Sequence, residues 1–445
     1  MAYFERQRPA LKPTLSEHFQ HREPSGIRLA QIEFMKRGEP VEAINVAIGN
    51  VSLPMHPAMI RRMAALTNQD SPFRDGVVKY TPTVGLEETR QAFLNIIASS
   101  GFSTQGLHVQ VTDGGSQAME LILLGVCGPA GSGKRPLLVI DPTYTNYGSM
   151  AGRIGRATVS MTRTLGADGR FTLPRPEEIE RLIRRHSPGA LLVIPYDNPT
   201  GQLYSREQMR ELASLCVRHN LWLASDEAYR ELFYTEGGAV SVWGLTEREV
   251  PGIEGRRIGL DSASKVWNAC GLRIGALITD NEEFHRRAVA ENTANLCPNA
   301  IGQHIFGALA HESHAELARW YERLREHYRG LLARLTGELA RLLPGLILST
   351  PAASIYSVVD VRDVVKPGFD AQDFVMYCAR RGTVELEGRR HTLLVAPMAG
   401  FYRGGKGPNP GRTQMRLAYV EPPEAMQKVP ILFRELLARY EAQRA

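Results

Sequence analysis

The chain has 445 residues, 43% hydrophobic and 22% charged, the balance of a globular protein of two or three domains rather than a disordered chain or a coiled coil. Its 53 Lys and Arg against 47 Asp and Glu leave a formal charge of +6; spread over this length the bias suits an anionic small molecule, and no dense basic block marks a nucleic-acid face. The five cysteines are far apart and form neither a disulfide framework nor a zinc pattern, the N-terminus lacks the apolar stretch of a signal peptide, and no run reaches the ~18 apolar residues of a membrane span, so a reducing, cytoplasmic setting is expected.

Residues 1–45 read as a polar arm whose amphipathic piece, IRLAQIEFMKRG, packs on the body or on a partner. Thr83 is placed to cap a helix running through Ile97, with Gly101 near its end. LHVQV (107–111) reads as a strand and SQAMELILLG (116–125) as a helix. PLLVI (136–140), ATVSM (157–161), ALLVIPY (190–196), LWLAS (221–225), RIGLDS (257–262) and RIGALI (273–278) are apolar runs of strand length. Helical stretches lie between them, one opening with Ser205 and Gln208 at the spacing of a capping box. Buried apolar strands alternating with helices predict an α/β class with a mostly parallel sheet covered on both faces. Near 312 a long amphipathic helix begins, stopped by Pro344 and Gly345; SIYSVVDV and TQMRLAYV then read as strands and ILFRELLARYEAQR as a closing helix. The pattern divides into an arm (1–45) joining the small domain, a large domain (46–311) and a smaller α+β domain (312–445).

Sites in open α/β sheets lie at the carboxyl ends of strands, and several of these strands end in polar residues. Thr112 to Gln117 place glycines at a helix start, where amides and the helix dipole attract an anion. Asn198 follows ALLVIPY in a Asn-Pro-Thr-Gly turn, and Asp226 ends a run that reads as a buried strand, costly unless the carboxylate is paired. Lys265 follows RIGLDS, where a desolvated lysine can serve as amine nucleophile or general base. The run Gly128 to Lys134 imitates a P-loop, but Arg135 stands where Ser or Thr should bind magnesium, and the run joins helix to strand instead of strand to helix, so it reads as a flexible loop.

KYTPTVGLEETR (79–90), TDGGSQA (112–118), DPTYTNY (141–147), DNPTGQ (197–202), DEAYRE (226–231), SASKVWNACGLRIG (262–275) and MRLAYVEP (415–422) stand in an order and spacing that resembles the class I/II aminotransferases, fold-type-I enzymes that use pyridoxal 5′-phosphate. The resemblance runs from about residue 25 to the C-terminus. It implies that Lys265 is the Schiff-base lysine and acid/base, that Asp226 pairs with the ring nitrogen, and that Asn198 and Tyr229 hydrogen-bond the ring oxygen. It further implies that Tyr144 stacks on the ring and that the phosphate sits on Gly115, Ser116 and Gln117 with Ser262, Ser264 and Arg273. Tyr80 resembles a tyrosine that reaches the phosphate from the neighbouring subunit, which implies a homodimer. Arg416 resembles the arginine that forks the substrate α-carboxylate, and Gly49 would approach the same group. The family implies amino-acid and keto-acid substrates and no metal.

Two segments depart from the family's pattern. Asn50 to Leu53 alter the wall beside Gly49, and the loop from Phe401 to Arg412 is long and basic, reading as a solvated surface loop or, more sharply, as a lid near Arg416. Trp267, Cys270 and Cys297 read as packing residues. The leading expectation is transamination. The shared residues equally permit elimination, replacement or cyclisation, as in aminocyclopropane-carboxylate synthases; a silent sensing domain is disfavoured because no helix-turn-helix segment accompanies it.

Overall fold

The computed structural model describes residues 13–132, 135–404 and 407–444. A seven-stranded sheet runs, from edge to edge, His108–Asp113, Ile274–Thr279, Arg257–Ser262, Trp222–Asp226, Ala190–Val193, Leu137–Asp141 and Thr158–Thr162. The last five of these pair in parallel, and only Ile274–Thr279 runs against its neighbours. Ala190–Val193, Leu137–Asp141 and Ile274–Thr279 are buried at every position. That explains their unbroken apolar runs, since helices cover both faces of the sheet.

Two smaller sheets hold the remaining strands. Glu42–Asn45 pairs in parallel with Arg389–Leu394, which turns back to Val384–Leu386. Ala396–Pro397, Gln414–Ala418, Tyr356–Asp360 and Ile347–Leu348 form an antiparallel set. The Gly26–Met35 helix packs beside Ala371–Arg380, where Glu33 meets Arg380 at 2.9 Å. The long helix spans His314–Leu342, with Ser313 capping it through the Glu316 amide. Its Trp320 stacks on Trp267 with ring centroids 6.4 Å apart, so Trp267 is a packing residue as its sequence context suggests.

Three local expectations need correction. The first long helix begins at Glu87 without a side-chain cap, because Thr83 Oγ1 donates to the Leu296 carbonyl and the Leu86 amide is taken by Gln303. The C-terminal helix begins at Pro423, eight residues before the expected start, and passes through Pro430. Pro430 is buried there beside Val429, Leu432 and Phe433 on the packed face of the helix. The 401–412 loop is no solvated loop at its start: Phe401 and Tyr402 are buried, and Arg403 donates to the Thr145 carbonyl at 2.6 Å. Gly405 and Lys406, like Gly133 and Lys134 of the P-loop look-alike, lie outside the described residues.

Candidate active site

A cavity of about 680 Å³ opens at the carboxyl ends of the central strands, where an open α/β sheet offers its crevice. One side is built for an anion. The Gly114–Val126 helix starts directly after a strand, with Gly114 at φ +75° and no side chain capping its first amides. Gly115 and Ser116 line the cavity there, with Ser262, Ser264 and Arg273. Ser262 Oγ donates to Ser264 Oγ at 2.7 Å, and Arg273 donates to the Cys270 carbonyl at 3.0 Å. A Cβ on Gly275 would lie 2.4 Å from the Gly114 carbonyl carbon; only glycine lets the strand beyond Arg273 come this close to the helix start. Exposed amides, two hydroxyls and a guanidinium at a helix N-terminus suit a phosphate.

Asp226 lies deeper, at the end of its strand. It accepts hydrogen bonds from the Ala228 amide at 3.1 Å and from the Tyr147 hydroxyl. Burial pushes its carboxyl up to about 6, and among the described residues no cation forms an ion pair with it. A buried carboxylate without a cation is costly, so the position fits a ligand that brings a positive charge. Lys265 donates to the Gly49 carbonyl. Tyr144 lines the cavity with its hydroxyl held by Asn146 at 2.9 Å.

The opposite wall carries Arg416, with one terminal nitrogen donating to Asn198 Oδ1 at 2.8 Å and the other to the Ala47 carbonyl at 2.6 Å. Its guanidinium lies over the Tyr356 ring at 4.2 Å and the Phe401 ring at 5.1 Å, and its buried Nε has no partner among the described residues. Asn198 in turn approaches the Tyr229 hydroxyl at 3.4 Å, and its turn is anchored by a buried Asp197–Arg163 pair at 2.7 Å. The cation-free Asp226, the uncapped helix start and the orphaned Arg416 donor together fit pyridoxal 5′-phosphate and the carboxylate of its substrate.

Of the expected site residues, Gly49, Gly115, Ser116, Tyr144, Asn198, Asp226, Tyr229, Ser262, Ser264, Lys265, Arg273 and Arg416 converge on this cavity. Gln117 does not: its side chain reaches back one turn to accept the Asp113 amide at 2.7 Å, so it offers no side-chain contact to a phosphate here. Tyr80 is 80% exposed and is not among the residues that line this cavity. Cys270 is a lining residue rather than packing, with Sγ 3.3 Å from Asn50 Oδ1. Sequence reasoning missed Tyr356, whose hydroxyl sits 2.9 Å from that of Tyr229. Burial opposes ionisation of Tyr356, yet Lys265 and Arg416 bring its phenol below the usual tyrosine range. It also missed Tyr147 and the lining face of the Gly26–Met35 helix.

Residues 41–389 match the family described as aminotransferase class I and II. The chain is 27% identical to the aspartate/prephenate aminotransferase of Thermus thermophilus over 79% of its own length and 85% of that protein's. A solved single mutant of the Thermus thermophilus aspartate aminotransferase superposes with a TM-score of 0.75 at 23% identity, covering 96% of this chain and all of that one. The N-succinyldiaminopimelate aminotransferase of Mycobacterium tuberculosis superposes at 0.77 with 20% identity, over 95% and 100% of the two chains.

Proposed function

The chain belongs to the class I and II aminotransferases and is a pyridoxal 5′-phosphate-dependent enzyme that moves an amino group between an α-amino acid and an α-keto acid; we propose that Lys265 is its acid/base, Arg416 its carboxylate receptor and a homodimer its working unit. The observation that carries the residue roles is the meeting of Lys265, Asp226 and Arg416 in one cavity. When bound, pyridoxal 5′-phosphate supplies a carbonyl carbon that takes up amines and a ring that delocalises the electron pair left at the substrate Cα.

The chain's own residues divide the remaining work. Gly115, Ser116, Ser262, Ser264 and Arg273 would hold the phosphate. Asp226 would hold the proton at the ring nitrogen, and the cation's company would draw its carboxyl down from the raised value that burial imposes. Asn198 and Tyr229 would donate to the ring oxygen, and Tyr144 would cover a ring face. Arg416 keeps two donors on Asn198 and Ala47, so its plane is fixed before a substrate carboxylate arrives. Lys265 would take the Cα proton of the substrate and deliver it to the former carbonyl carbon, one base serving both atoms.

The name of the Thermus relative makes aspartate the first amino acid to try. Single-turnover absorbance should show an amino acid converting the enzyme to its pyridoxamine form and an α-keto acid reversing the change. Arg416→Leu is expected to raise KM by the equivalent of roughly 2–5 kcal/mol, since the substrate carboxylate would be buried without its fork, while cofactor retention is unchanged. An unaltered KM would remove Arg416 from the role. Loss of a substrate side-chain group without formation of the pyridoxamine form would replace transamination by elimination.

A further inference from the structure

The Gly26–Met35 helix shows two faces. One docks: Ala30 is buried, Glu33 pairs with Arg380 at 2.9 Å, and Arg37, just past the helix, donates to the Cys378 and Gly382 carbonyls at 3.3 and 3.2 Å. The other carries Ser25, Arg28 and Gln31, three residues apart and therefore in one row along the helix, and all three line the cavity. Arg28 donates to Gln31 Oε1 at 3.2 Å. No carboxylate pairs with it among the described residues, whereas Arg90, Arg184, Arg286, Arg319 and Arg341 each hold an acid three or four residues away on their own helix.

Four cations line the cavity: Arg28, Lys265, Arg273 and Arg416. The last three have work in transamination, and Arg28 has none. The acids lining it are Asp226 and Glu421. Desolvation raises the Glu421 carboxyl, while the Asn45 amide that bonds to it acts the other way.

We propose that Arg28, steadied by Gln31, receives an anionic group on the substrate side chain, which makes the preferred amino and keto acids dicarboxylic. A guanidinium offers two parallel N–H donors to a carboxylate, and the docked helix fixes where that second carboxylate must lie relative to the fork of Arg416. The proposal rests on the transamination reading for turnover, and its binding arm is independent of that reading.

The test has two arms. In the first, calorimetry compares succinate with butyrate, which carries a methyl group where succinate has its second carboxylate, on the cofactor-loaded enzyme. Wild type should bind succinate at least tenfold more tightly; Arg28→Gln should bind the two alike, and Arg28→Lys should recover part of the difference. Unchanged cofactor absorbance in the variants would show that the fold and site survive. In the second, half-reaction rates are measured with aspartate, glutamate and norvaline. Arg28→Gln should raise KM for both acidic substrates at least tenfold and leave norvaline unaffected. Equal binding of succinate and butyrate by wild type, or an Arg28→Gln preference identical to wild type, overturns the proposal. If none of the amino acids reacts but the succinate preference depends on Arg28, the subsite stands and transamination fails instead.

Discussion

Asp226 couples the chemistry to pH. In the cofactor-free protein its pKa is about 6, against ~3.9 for an unfolded aspartate. The folded state therefore binds more protons than the unfolded one between about pH 4 and pH 6. Stability conferred by the raised carboxyl is present at the acid end and falls as pH rises through that window, by up to roughly 3 kcal/mol at neutrality. Asp226→Asn abolishes the ionisation. Cofactor-free Asp226→Asn should melt above cofactor-free wild type at pH 7 and close to it near pH 4, while losing most turnover; thermal melts at the two pH values check this, and a variant that melts lower at pH 7 would contradict it. Asp226, Asn198 and Lys265 were legible in the sequence because polar residues at the ends of buried strands have no packing reason to be there, whereas Arg416, inside its strand, was legible only through the resemblance. Tyr356 and Tyr147 were not. Tyr356 stands in an apolar run that reads as core and Tyr147 in a polar helix start that announces no partner, and only the fold shows that their hydroxyls meet Tyr229 and Asp226. Arg28 was illegible for a different reason: which face of its helix meets the cavity depends on how that helix docks.

The proposed phosphate cradle is a property of elements rather than of single side chains. A strand, a left-handed glycine and a helix start bring the amides into place, and Gly275 lets the neighbouring strand lie against them. Gly275→Ala would set a Cβ 2.4 Å from the Gly114 carbonyl carbon and 2.5 Å from the Gly115 nitrogen. Backbone cannot yield as a flexible side chain can, so a cost of about 1–3 kcal/mol is expected, together with weaker cofactor retention. Thermal denaturation with and without added cofactor measures both, and a variant with unchanged melting and retention would contradict the close approach. The strands of the large sheet were readable from their apolar runs. The Val384–Leu386 and Arg389–Leu394 hairpin was not, since its turn is Glu387-Gly388 with both residues at positive φ instead of the Asn-Gly or Asp-Gly that usually announces such a turn. The closing helix was read short because Pro430 stands inside it where a proline ordinarily marks a boundary.

At the scale of the molecule, the segment before the first long helix leaves Val77, Val78 and Tyr80 exposed by 53%, 55% and 80%. Adjacent apolar side chains left in water favour a covering surface, and a second copy of the chain is the partner that the resemblance of Tyr80 implies. Sedimentation should give a dimer at assay concentration. Mixing and refolding inactive Tyr80→Ala with inactive Lys265→Ala should restore part of the activity, because a hybrid dimer holds one site with both residues intact; a fully active monomer would contradict this account. The large sheet and the place of its crevice were visible in the chain's alternating pattern, whereas the expectation of a dimer comes only from the resemblance, because an exposed tyrosine carries no signal of what covers it. All of these expectations depend on Lys265 being the residue that bonds the cofactor. Borohydride reduction of the cofactor-loaded enzyme, followed by peptide mapping, tests that directly: the account predicts one pyridoxyl group per chain on the peptide containing Lys265, and finding it on any other lysine, or on none, would contradict it.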